Sequence, residues 1–181
     1  MTERLNDLIL VDSWDNPIGT AGKGEAHARP MLHRAFSVFL SDEEGRLLLQ
    51  KRALGKYHSG GLWANSCCSH PRAEEETISS AELRLMEELG VTCPLREIGS
   101  FIYFHRFRDT LYEYEYDHVL LGRCSGPFAP DPEEIAELRW VTPIQLADEL
   151  RSAPEQFAPW FLTAAPMVLR ELKQLDEFGR I

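Results

Sequence analysis

Two β-rich runs, Ile98 to Phe107 and Leu111 to Gly122, flank the polar triplet Arg108-Asp109-Thr110, which is most simply a long antiparallel hairpin. Side chains two apart in a strand share a face, so Glu113 and Glu115 point the same way from the second run. Earlier in the chain, Leu8 to Val11 reads as a strand closed by a turn through Asp15-Asn16-Pro17, and Gly19 to Pro30 as a Gly-rich loop. His33 to Leu40 and Arg46 to Lys51 are two further strands around the hairpin turn Asp42-Glu43-Glu44-Gly45, with Phe36, Val38, Leu47 and Leu49 as core candidates in alternation.

From Glu75 to Leu89 the apolar positions Ile78, Ala81, Leu85 and Leu89 keep a helical spacing, and Gly90 stands where a helix C-cap glycine belongs. After a loop at Pro127 to Pro132, Ala136 to Val141 is a strand. Thr142-Pro143 supplies an N-cap followed by Pro at the first helical position, and Pro159 to Leu175 is a final amphipathic helix. Mixed strands with a few helices imply a layered α/β fold of the α+β kind. With 181 residues and no linker or repeat, residues 1–181 are expected to form one domain, burying roughly 70% of the unfolded surface.

A net charge of −10 argues against a general nucleic-acid grip, which needs a basic stripe. An anionic substrate must therefore meet a local basic cluster inside a negative shell. No stretch is long enough to span a bilayer, and Met1 to Asp7 lacks the apolar core of a signal peptide. The cysteines at 67, 68, 93 and 124 form no zinc-ribbon spacing, and reduced thiols in a cytoplasmic protein fit best.

The segment Asn65 to Pro71 concentrates the chemistry. In extended conformation Cys68 and His70 share a side, setting a proton carrier beside a metal ligand. His27, His33 and His70 with Glu113 and Glu115 offer three imidazoles and two carboxylates, a mixed set that suits divalent Mg, Mn or Zn. They come from four separated segments, so spacing alone does not assemble them. Glu75, Glu82, Glu87 and Glu88 either hold a second cation against phosphate oxygens or form a solvated acidic face.

Ser69 to Val91 resembles the Nudix box, G-x5-E-x7-R-E-U-x-E-E-x-G-U with U apolar, at Glu75, Leu85, Glu87, Glu88, Gly90 and Val91. It departs at Ser69, where the motif has Gly, and at Leu83-Arg84, where it has Arg-Glu. Arg84 replaces a glutamate of the group that positions catalytic Mg in Nudix hydrolases, which weakens a hydrolase reading. A wider set of markers resembles the type 1 isopentenyl-diphosphate isomerases: Leu32-His33-Arg34-Ala35-Phe36-Ser37, Lys51-Arg52-Ala53-Leu54, Trp63-Ala64-Asn65-Ser66, Cys68 to Pro71, Glu88 to Val91, Glu113-x-Glu115 and Ala158-Pro159-Trp160.

That resemblance implies a Nudix-type mixed sheet sandwiched between helices, with a core near residues 31–165 and an extra N-terminal strand and C-terminal helix. It implies interconversion of isopentenyl and dimethylallyl diphosphate through a carbocation-like intermediate. Position by position, the family's metal site falls on His27, His33, His70, Glu113 and Glu115, taking Mg, Mn or Zn, and its proton-transferring pair on Cys68 and Glu115. Tyr103 matches a tyrosine that hydrogen-bonds the acid side of the site. The diphosphate is expected at Lys23, Arg52, Lys56 and Arg84, with a Mg ion bridging to Glu88. Trp160 would turn its ring face to the cation, an attraction worth about 2 kcal/mol or more when desolvated.

The N-terminal segment through Lys23 and His27, together with the last helix, is the expected cover that excludes water. His58, His105 and His118 receive no role, and alternation turns His118 away from Glu113. Besides the small diphosphate substrate, no nucleic-acid or membrane partner is expected, and the chain should be a monomer or weak homodimer. Two rival readings remain at this point, a Nudix hydrolase of a nucleoside or other diphosphate and a metal-stabilised module that binds a diphosphate without turnover.

Overall fold

The computed structural model describes residues 7–177; Met1 to Asn6, which open both the expected leader-free N-terminus and the expected cover, lie outside them. The predicted hairpin is the longest feature, β7 (Leu95–Arg108) against β8 (Leu111–Arg123). Along its other edge β8 runs parallel to β3 (His33–Ser41), in a register that sets His33 opposite Glu115 and Ala35 opposite Asp117. The far side of β3 is shared by three antiparallel partners in turn. β1 (Leu8–Val11) takes its start, β6 (Cys67–Ser69) its middle and β4 (Leu47–Arg52) its end. β9 (Ile135–Val141) and the short β5 (Trp63–Ala64) extend the sheet from β4.

Helix α2 (Thr77–Leu89) covers one face. It buries Ala81, Leu85, Glu88 and Leu89 at helical spacing, whereas Ile78, expected in that stripe, is 37% exposed. Leu85 and Leu89 are each fully buried, a burial that contributes about 1.5–3 kcal/mol apiece. Gly90 ends the helix in the left-handed region at φ 68°, its N–H returning to the Met86 carbonyl. The opposite face packs under α4 (Phe161–Glu177) and α3 (Pro143–Ser152). Helix α3 starts with a capping box in which Thr142 and Gln145 satisfy each other's backbone N–H.

One expectation needs correction. Gly19 to Pro30 is no loop: β2 (Pro17–Ala21) pairs with β1, and α1 (Lys23–Ala28) follows. The four expected core residues of the central strands are all buried, divided between the two faces. Phe36, Val38 and Leu48 enter the layer under α2, while Phe39, Leu47 and Leu49 enter the layer under α4, because helices cover both faces of the sheet. Among the described residues no helix is long and apolar enough to cross a membrane.

Candidate active site

Where β3 passes from β6 to β4, the backbone groups between the diverging strands need other partners, and Asn65 and Ser66 supply them. Asn65 Nδ2 donates to the Val38 and Cys67 carbonyls, and Ser66 Oγ donates to the Leu48 carbonyl while accepting from Leu40 N–H. That stitching holds β6 against β3 with Cys68 opposite Ser37. Three adjacent strands thus carry Cys68, His33 and the Glu113/Glu115 pair to one end of the sheet, where α1 adds His27.

The imidazole rings of His27, His33 and His70 lie 4.9 to 5.7 Å apart by centroid. One ligand atom from each, and one from Glu113, all fall within 4.8 Å of one another. Glu115 joins them: His70 Nε2 is 2.8 Å from its Oε1, within hydrogen-bond distance, and His33 Nε2 is 3.8 Å from the same oxygen. His33 Nδ1 donates to the Met31 carbonyl, which leaves Nε2 with its lone pair facing the cluster. His27 Nε2, His33 Nε2 and Glu113 Oε2 are buried without a hydrogen-bond partner, an arrangement that costs free energy unless something fills it. Three orphaned acceptors converging from a nitrogen and carboxylate donor set fit a divalent cation.

Beside this cluster opens a cleft lined by Cys68, Glu115, Asp117, Trp160 and all four expected cations. Arg52 Nη1 stands 3.9 Å from the Cys68 sulfur, and its guanidinium lies 5.2 Å over the Trp160 ring. Trp160 is nearly buried and donates its indole N–H to Asn65 at 3.0 Å. Lys23 sits over the Tyr57 ring. Lys56 and Arg84 both pair with Glu134, and Arg84 also binds Glu88 at 2.7 Å and Glu87 at 2.8 Å. Tyr103 pairs across the hairpin with Glu115, its hydroxyl buried and unpartnered. Glu75, by contrast, accepts from Arg72 N–H and the Ser80 hydroxyl away from the cleft, Glu82 is half-buried and Glu87 is exposed.

Burial pushes the Cys68 thiol up to about 12 against the pull of Arg52, so it carries its proton. Burial, then the neighbouring Glu113 charge, raises Glu115 well above the carboxylate range. Glu113 moves the other way: burial opposes its ionisation, but the His58 hydrogen bond and nearby imidazoles outweigh that. Asp117 is raised to about 7 by burial despite a 2.8 Å hydrogen bond from Ser37. Tyr103 is raised by burial and then by Glu115, which keeps its hydroxyl a donor.

Three neighbours of the site escaped the sequence reading. His58 donates to Glu113 Oε1 at 2.7 Å while its backbone carbonyl accepts from Arg52, and its ring stacks 4.1 Å from Phe107. It lies in an irregular loop where no periodicity marks a direction. Glu134 precedes β9 in a similar stretch. Asp117 had a usable signal, since it continues the 113, 115, 117 alternation on one face. His118 turns away, as alternation predicts, to Asp15 and Glu97.

Residues 31–161 match the NUDIX domain, most of the chain. Solved structures agree in fold: DR0079 from Deinococcus radiodurans is 22% identical with a TM-score of 0.72, covering 91% of this chain and 98% of its own. The MutT protein from Methanosarcina mazei Go1 is 19% identical with a TM-score of 0.63, covering 78% of this chain and 96% of its own. Curated relatives are nearer in sequence. Isopentenyl-diphosphate Delta-isomerase 2 of Photorhabdus laumondii is 49% identical over 85% of this chain and 87% of that protein, and the isopentenyl-diphosphate Delta-isomerase of Serratia proteamaculans is 48% identical over 96% of each. The chain belongs to the isopentenyl-diphosphate Delta-isomerase family.

Proposed function

We propose that this protein interconverts isopentenyl and dimethylallyl diphosphate, with Cys68 and Glu115 exchanging protons across the allyl group. The observation that carries this reading is the Cys68 thiol and the Glu115 carboxyl group, the latter beside the histidine cluster, opening into one cleft that also holds cations for a diphosphate. Shifting the double bond requires a proton added to the terminal carbon and another removed from carbon two, so two groups that can each hold a proton are the minimum machinery. Tyr103, paired with Glu115 across the hairpin, is assigned the hydrogen bond to the acid side of the site. The Trp160 ring gives the developing cation an electron-rich wall, and its closure over the cleft with α1 keeps water from capturing that cation.

A divalent ion held by His27, His33, His70, Glu113 and Glu115, whether Mg, Mn or Zn, would fix the Glu115 carboxylate and tune its acidity. Lys23, Arg52, Lys56 and Arg84 are assigned to the diphosphate, and Glu88 to a Mg ion carried with it. The hydrolase alternative loses support from Arg84, which stands where a Nudix glutamate would and is engaged by Glu87, Glu88 and Glu134.

Incubation with isopentenyl diphosphate and Mg in heavy water, followed by NMR, tests the reading. Dimethylallyl diphosphate carrying deuterium in a methyl group is the expected product; released phosphate would indicate hydrolysis, and unchanged substrate a binding module. His58→Ala should weaken metal binding by about 10–100-fold, because Glu113 loses the closer of its two hydrogen bonds, keeping only the 3.3 Å one from the Tyr57 hydroxyl. Metal competition against a chromogenic chelator reads this directly, and an unchanged affinity would remove His58 from the supporting shell.

A further inference from the structure

Outside the cleft, two further cysteines stand at the opposite end of the hairpin. Cys93 lies in the segment between α2 and β7, and Cys124 just after β8; both are free thiols. The β7–β8 register begins at Leu95 opposite Gly122, and continuing it two residues outward sets Cys93 directly opposite Cys124. The N–H of Cys124 is given to the Ser41 carbonyl of β3 at 2.9 Å, so its backbone faces away from Cys93. The ladder itself ends at Leu95 and Gly122, but its continuation would bring the two together as a non-hydrogen-bonded pair, the kind in which Cα atoms approach to about 4.5 Å. A disulfide spans Cα separations of roughly 4.4–6.8 Å.

The side chains are disposed to use that approach. A Cβ built on Gly122 would meet the Cys93 sulfur at 2.9 Å, so the glycine is what gives that sulfur its place beside β8. Both thiols pack into the same apolar layer under α2, Cys93 buried in it and Cys124 against it and partly open. Cys67 and Cys68 sit elsewhere, on β6.

We propose that Cys93 and Cys124 are an oxidisable pair that closes into a cross-strand disulfide when the protein meets a peroxide. Cys124, the more open thiol, attacks a peroxide oxygen as thiolate; the O–O bond breaks, leaving a sulfenic acid on Cys124 and hydroxide. The Cys93 sulfur then attacks the Cys124 sulfur, the S–O bond breaks and a second hydroxide leaves. The two protons shed by the thiols turn both hydroxides into water, and two electrons pass from sulfur to peroxide.

The link would tie down the backbone that supports one wall of the cleft. From Cys124 the chain runs back along α2, where Ala129 and Asp131 donate N–H to the Leu89 and Glu88 carbonyls at 2.8 and 2.9 Å, and on to Glu134. Closing the pair locks this return at its origin while leaving Cys68 untouched.

Treating the full-length protein with one equivalent of hydrogen peroxide, alkylating, and mapping unreduced peptides by mass should recover a single Cys93–Cys124 cross-link. Two of the four thiols should disappear in denaturing titration and return with dithiothreitol. Cys93→Ser and Cys124→Ser should each abolish the link, and Cys124→Ser, at the more open position, serves if Cys93→Ser fails to fold. The oxidised wild type should also show a raised urea midpoint that Cys124→Ser does not. A cross-link through Cys67 or Cys68, sulfinic acid at Cys124 without a link, or full retention of four thiols would overturn the proposal.

Discussion

Replacing Cys68 with alanine should lower isomerase turnover by about 10²–10⁴-fold, the contribution of a positioned proton-transfer group, with little change in folding. Its sulfur faces the cleft beside Arg52, whereas Cys67, one residue earlier on β6, is fully buried in the layer under α2. Cys67→Ala should therefore leave kcat nearly intact. Glu115→Gln should lose as much as Cys68→Ala while keeping an amide oxygen to accept from His70, so the loss would be chemical. Steady-state kinetics with circular dichroism on all three variants checks this. Should Cys67→Ala prove the inactive variant, the assignment of faces on β6 is wrong.

Phe161→Ala should cost about 3–5 kcal/mol of stability, as deletion of a fully buried aromatic ring does. Phe161 is 0% exposed and stacks against Phe157 at 5.2 Å and Phe39 at 5.7 Å, which pins the start of α4 to β3. Against a domain stability of about 5–15 kcal/mol, that is a large fraction. Because Trp160 is the preceding residue, the variant should also bind substrate poorly at temperatures where it remains folded. Urea denaturation gives the energy, and a loss below about 1 kcal/mol would mean that the layer closes over the missing ring.

The parts of the fold legible in the sequence are those with short-range physical signals. The 95–123 hairpin has alternation, α2 has its apolar stripe and Gly90, and α3 has Thr142-Pro143. The segment from Gly19 to Pro30 hid its structure because Gly22 and Gly24 argue against regular elements. A six-residue helix has almost no stability of its own, and α1 persists because Ala26 and His27 are buried in the fold. Pairing of β3 with β8 joins residues about 80 apart, which no local pattern encodes. At the site, Glu113 and Glu115 were readable from strand alternation, and the resemblance to a family supplied the histidines. His58 and Glu134 were not readable, since irregular backbone gives a side chain no periodic direction.

Glu134 gives the cleft a preference in charge. It pairs with both Lys56 and Arg84, so it would compete with an incoming anion for them. A singly charged ligand that displaces it merely exchanges one carboxylate-strength interaction for another. On the proposed assignment, a diphosphate brings more charge to Lys56, Arg84 and Arg52 than the single carboxylate it displaces, so it gains more than that carboxylate gives up. Selection for the doubly phosphorylated form over its monophosphate would then rest on a residue that never touches the hydrocarbon.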